Sequence, residues 1–158
     1  MKIQTKHIRI LYAAAAVLIM LAAFMFSAQS GDSSGETSMS VTENVSQHFS
    51  SGNISRDTLE ILEQIIRKLA HFIEFAALGF FTFAFTDTFT IKRKKAAIIS
   101  LVFSSLYALS DEIHQYFVPE RACRLTDVLL DTFGALCGIL IFIALCELIK
   151  KLKAKYIK

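Results

Sequence analysis

Residues Ile8 to Phe26 form an apolar run of about 19 residues broken only by Arg9, and three more runs of similar reach follow it. At about 1.5 Å per residue such a run crosses a hydrocarbon core of roughly 30 Å as a helix. Four of them in one short chain leave few folds open. Backbone groups in lipid must be satisfied inside their own segment or in a closed barrel, and period-two alternation is absent, so the spans are helices and not strands.

The sequence therefore predicts an all-α, integral membrane four-helix bundle, one domain over 1–158, with spans at 8–26, 58–88, 96–116 and 126–149. Outer loops at 27–57 and 117–125 join them. With 54% hydrophobic residues and one proline, the chain is too apolar and too unpunctuated for an ordinary soluble domain. The second span includes an amphipathic outer leg: Asp57 reads as an N-cap with Glu60 three residues on, and Leu59, Leu62, Ile66 and Leu69 recur at helical spacing. The loop 27–57 is rich in Ser, Thr, Gly and Asn, which bury little. Its two Asn-x-Ser triplets, at Asn44 and Asn53, matter only in a glycosylating secretory pathway.

Twelve of the seventeen Lys and Arg residues lie before span one, between spans two and three, or after span four. The positive-inside rule then places the N- and C-termini in the cytoplasm. A cleaved signal peptide is the competing reading of the start, but Phe26 and Ala28 make a poor small-x-small site and the run is long for a signal. The net charge of +3 calls for no nucleic acid, because the basic residues flank the spans and face anionic lipid. Cys137 and Cys146 share a helix about 13 Å apart and cannot bond to each other, while Cys123 in the outer loop is a free or an intermolecular thiol.

Polar residues inside the spans carry the functional signal. At 100° per residue, Glu63, Arg67, His71 and Glu74 fall within an arc of about 80° on helix two. On helix three, Ser100, Ser104, Tyr107, Asp111, His114 and Gln115 fall within about 100°, and on helix four Asp127, Asp131, Gly134 and Gly138 within about 60°. The predicted topology brings the ionisable members of all three stripes to the outer end. One Asp, Lys or Arg at mid-membrane costs about 2.5 to 3.5 kcal/mol, so such groups pair or line a wet cavity. Arg67, Lys68, Arg121 and Arg124 are the partners on hand for Glu74, Asp111, Glu112, Asp127 and Asp131.

The stretches RKLAHFIEF at Arg67–Phe75, YALSDEIHQYFVPER at Tyr107–Arg121 and DVLLDTFG at Asp127–Gly134, with FSAQS at Phe26–Ser30, together resemble the VanZ-like family over nearly the whole chain except the outer loop and tail. That resemblance implies a multi-pass protein of the bacterial plasma membrane, some relatives of which confer low-level resistance to teicoplanin and related glycopeptides. By match to its motifs it singles out Lys68, His71, Glu74, Asp111, Glu112, His114, Gln115, Arg121, Asp127 and Gly134. Two positions depart from the pattern: Glu120 stands where glycine is usual, and Asp131 where asparagine is frequent.

Three readings of the cluster compete. As an enzyme, the catalytic set is His71, Glu74, Asp111 and His114, with either histidine as general acid or base near neutral pH and a carboxylate orienting it. The ligand-binding set is Lys68, Glu112, Gln115, Arg121 and Asp127, holding a phosphate or carboxylate of a lipid-linked or other envelope substrate. As a binding module, the same pocket engages membrane lipid, a peptidoglycan precursor or the glycopeptide itself without chemistry. As a purely structural feature, the charges only fix how three helices pack. No G-x-S-x-G elbow or H-E-x-x-H pair is present, and the sequence names no cofactor. No metal site is assigned, although His71, Glu74, Asp111 and His114 would be the donors for a divalent ion. Ion transport is disfavoured because the inner halves hold few ionisable groups beyond Asp87. Gly134 and Gly138 serve close helix packing, either within the chain or in a homo-oligomer through helix four.

Overall fold

The computed structural model describes residues 2–29, 39–42, 55–119, 121 and 123–156. Glu120, Asn44 and Asn53 lie outside the described residues. Four long helices make up the fold: α1 Lys2–Ser27, α2 Arg56–Thr86, α3 Arg93–Tyr116 and α4 Leu125–Tyr156. Each contains a stretch long and apolar enough to cross a membrane, and no strand occurs among the described residues.

Helix α2 starts from Ser55, whose backbone is extended (φ −66°, ψ 152°) and whose hydroxyl accepts from the Thr58 amide at 3.3 Å. The cap is thus two residues earlier than the Asp57 expected from the sequence. Asp57 sits instead in the first turn, where its charge opposes the positive helix end. At the other end of α2 the Asp87 amide caps back onto Phe83 and Phe85 carbonyls, so the helix stops at Thr86. Helix α3 ends at Tyr116 ahead of Pro119, whose ring disfavours helical geometry in the residue before it.

Helix α2 is the hub: it packs against α1, α3 and α4, most extensively against α4. Small residues make that closeness feasible. A Cβ on Gly134 would lie 2.6 Å from the Phe72 carbonyl oxygen, and one on Gly138 or Gly79 would overlap the backbone of Ala76 or Ala135 respectively. Without a hydrophobic drive between helices in lipid, such backbone approach is a main source of association energy. Gly134 and Gly138 are therefore used inside the chain, and a homo-oligomer through helix four would need another of its faces. Gly79, on the opposing helix, completes a seam that the G-x-x-x-G spacing alone did not disclose.

Two apolar clusters fill the interior, one of Phe75, Leu78, Ala16 and Ala108 and one of Phe83, Ala96 and Ile139. Outward faces carry exposed Leu11, Leu18, Val102, Leu106, Leu140 and Ile141, the pattern of a bundle whose solvent is lipid. All three cysteines are free.

Candidate functional site

The C-terminal end of α1, the N-terminal half of α2, the C-terminal end of α3 and the N-terminal end of α4 meet at the bundle end remote from both termini. Direct bonds between the helices establish this. Ser27 donates to Asp111 at 2.7 Å, Lys68 pairs with Asp127 at 2.7 Å, and the Arg124 amide donates to Glu112 at 2.8 Å.

Asp111 is the centre of a buried network. Its Oδ2 accepts from Ser27 and, at 3.0 Å, from Gln115 Nε2, which lies one turn on along α3. Gln115 in turn presents Oε1 to Arg121 at 3.3 Å. The remaining Arg121 donors reach the main-chain carbonyls of Gln29 at 3.1 Å and Phe26 at 3.2 Å, tying the loop after α3 to the end of α1. Arg121 thus makes no ion pair with a carboxylate among the described residues. Burial and the neighbouring Arg67 hold its pKa below the usual arginine value, although a guanidinium stays charged throughout the accessible range.

A cavity of about 200 Å³ opens beside this network. Its cations are Arg67, Lys68, Arg121 and Arg124, and its acids are Glu112, Asp127 and Asp131. Gln64, His71, Gln115 and Leu130 complete the wall. The depths differ: Glu112 and Asp131 are each 2% exposed, whereas Arg124 is open to solvent. The floor is acidic and the mouth is cationic.

The residues singled out from the sequence divide accordingly. Lys68, Glu112, Gln115, Arg121 and Asp127 all line the cavity, and so does His71. Glu74, Asp111 and His114 do not line it. His71 Nδ1 lies 3.8 Å from Glu74 Oε2, too far for a hydrogen bond, and is buried with no partner. His114 stacks on Phe24 of α1 at 4.5 Å between ring centroids, and Asp111 is engaged by Ser27 and Gln115 instead of orienting a histidine. Among the described residues no three His, Cys, Asp or Glu side chains converge as metal donors.

The sequence offered Arg67, Lys68, Arg121 and Arg124 as partners for the carboxylates; the structure pairs Lys68 with Asp127 and gives the arginines other contacts. Only Lys68 takes a cavity carboxylate at hydrogen-bonding distance; Glu112 is met by the Arg124 amide and not its guanidinium, and Arg67 faces Glu63 at 3.6 Å. The hydroxyl of Ser27 and the Gln64 position in the wall were absent from the sequence-based set. Ser27 lay in the quoted FSAQS stretch, the one signal that could have found it.

The model of the VanZ/LLP1 family matches residues 11–148, which contain every residue of the cavity wall. The chain belongs to the VanZ/LLP1 family. No curated protein and no solved structure matched it. As a VanZ-family protein it is a multi-pass membrane protein, and the family range leaves out Lys2 to Arg9 and the basic tail beyond residue 148.

Proposed function

We propose that this VanZ-family protein acts in the bacterial plasma membrane, contributing to tolerance of teicoplanin-type glycopeptides by holding an anionic cell-envelope component in the polar cavity. Both termini are cytoplasmic in this reading, because the basic residues cluster at their end, and the cavity faces outward. One observation carries it: three arginines and a lysine line a single small cavity, and only the lysine is neutralised at hydrogen-bonding distance. Guanidinium groups with donors to spare are suited to phosphate and carboxylate, which peptidoglycan precursors display at the outer leaflet. The size narrows the ligand further. About 200 Å³ is below the 300–1,000 Å³ typical of drug-sized sites, so the cavity takes an end group of an envelope component and not a whole glycopeptide.

Expression in a glycopeptide-susceptible bacterium tests this. The wild-type chain raises the inhibitory concentration of teicoplanin, and the double variant Arg67→Ala, Arg124→Ala loses that increase at equal membrane abundance. Undiminished tolerance in the double variant would exclude the cavity from the phenotype.

A second reading, a membrane-embedded enzyme, is supported by His71 Nδ1, which is buried on the cavity wall without a hydrogen-bond partner and near Glu74. An imidazole so placed can exchange a proton with a bound substrate. In that case His71→Gln leaves ligand affinity intact but abolishes conversion of a lipid-linked precursor followed by mass spectrometry. Conversion unaffected by His71→Gln leaves the binding reading alone.

A further inference from the structure

Asp131 is a carboxylate at the floor of a cavity whose mouth is cationic. It is 2% exposed, its Oδ1 has no partner, and no described cation pairs with it. Lys68 and Arg121 are committed elsewhere, and the His71 imidazole on the same wall makes no hydrogen bond to Asp131. Lys68 is bound to Asp127 at 2.7 Å, Arg121 is spent on Gln115 and two main-chain carbonyls, and the Arg124 amide is on Glu112. A buried carboxylate without donors is among the costlier features a fold can hold, and is kept where something else supplies them. At the mouth the complementary deficit appears: the Arg124 guanidinium makes no hydrogen bond or ion pair among the described residues, and Arg67 has only its 3.6 Å contact with Glu63.

We infer that the cavity takes a small zwitterion, a primary ammonium entering first to meet Asp131 while its phosphate or carboxylate stays at the mouth between Arg67 and Arg124. This rests on the anion-binding reading above and names the class of its ligand. An ammonium brings three donors of its own, so it satisfies Asp131 without the ring of further ligands a metal ion requires. No such ring exists among the described residues. The order of entry follows from depth, since the unpaired acid is buried and the spare guanidiniums are at the rim. Two sources share this chemistry. One is a phosphoethanolamine lipid headgroup, whose chains would lie on exposed Ile65 and Leu69 of α2 and Leu125 and Leu129 of α4. The other is a short free peptide, whose own terminal ammonium and carboxylate are both present.

Isothermal titration of the purified full chain in detergent micelles tests the inference with four probes: glycerophosphoethanolamine, alanyl-alanine, glycerol phosphate and ethanolamine. A zwitterion is expected to bind about tenfold or more tighter than glycerol phosphate, the gain of a charge-assisted contact, with ethanolamine weaker still. Asp131→Asn, which is nearly isosteric, is expected to remove that preference while glycerol phosphate binds as well or better. Stronger binding of glycerophosphoethanolamine identifies the lipid source, and stronger binding of alanyl-alanine the peptide source. Equal affinities for zwitterion and glycerol phosphate overturn the ammonium site yet leave the anion-binding reading standing. No binding of any anionic probe overturns that underlying reading itself. The wild-type comparison decides the matter even if the variant fails to fold.

Discussion

The two ends of the bundle both gather charge, but they handle it oppositely. At the end bearing the termini, Arg9 donates to Thr88 Oγ1 and O at 3.0 and 2.7 Å and lies over the Phe89 ring. Glu147 is shared there by Arg93 at 2.8 Å and Lys150 at 2.9 Å, with Asp87 3.6 Å from Arg93. The Arg93, Glu147 and Lys150 side chains are a third to two-thirds exposed, so water or headgroups reach them. At the cavity end, Asp111, Glu112 and Asp131 are 2–3% exposed. Of the six buried polar atoms without a partner among the described residues, five lie in this half of the molecule: on Glu63, His71, Asp111, His114 and Asp131. An end that only anchors the protein in its membrane satisfies its charges locally. An end that retains unsatisfied buried groups at a stability cost is what the proposed ligand-binding reading requires.

The comparison breaks first if both ends do not hang from one seam. Gly138→Ala would put a methyl into the Ala76 carbonyl, which as backbone cannot swing aside. The helices α2 and α4 must then separate, carrying His71 and Lys68 away from Asp131 and Asp127. The expected loss is about 3 kcal/mol or more, the upper range of overpacking, enough to remove most folded protein from detergent extracts. A variant that elutes as a folded species with the wild-type melting temperature would show that the seam is looser than its geometry.

Next in size is Asp111→Ala. It leaves the Ser27 hydroxyl with no acceptor in a buried place and Gln115 Nε2 with only Ser27 Oγ at 3.2 Å, loosening the glutamine that positions Arg121. Removing one member of a buried polar network costs about 3 kcal/mol, and Asp111→Asn, which keeps an acceptor for Ser27, should recover part of it. Thermal melting in detergent reads both. A melting temperature for Asp111→Ala equal to wild type would make the network ornamental and reduce the cavity end to the status of the other.

Much of this was legible in the sequence, for a physical reason. Apolar run length fixes spans, and helical periodicity fixes which polar groups share a face, so the gathering of ionisable residues from α2, α3 and α4 followed from local rules. Which group meets which did not follow. His114 and Gln115 lie about 60° and 40° to either side of Asp111, and periodicity treats them alike. Packing decides: α1 takes the His114 side with the Phe24 ring, while Gln115 turns to the cavity. Ser27 reads as the first residue of a polar loop, and becomes part of the site only because α1 continues far enough to set its hydroxyl level with Asp111. Gln64, on the exposed leg of α2, looks like any solvated residue until α4 and the loop after α3 close over its neighbours.

The smallest effect sharpens the contrast most. Glu147 joins Arg93 on α3 to Lys150 on its own helix, so it has two cationic partners where Asp127 has one. If partner count measured importance, Glu147→Gln would rival Asp111→Ala. Exposure argues otherwise: with half its side-chain surface open and both cations free to re-solvate, the pair gains little over its hydrated parts and holds long side chains still to do so. The amide can also keep accepting from Arg93. The expected outcome is no measurable change in melting temperature and full retention of ligand binding, read in the same detergent series as Asp111→Ala. A drop comparable to that variant's would mean that both ends are held by the same kind of interaction, and the division between an anchoring end and a receiving end would have to be given up.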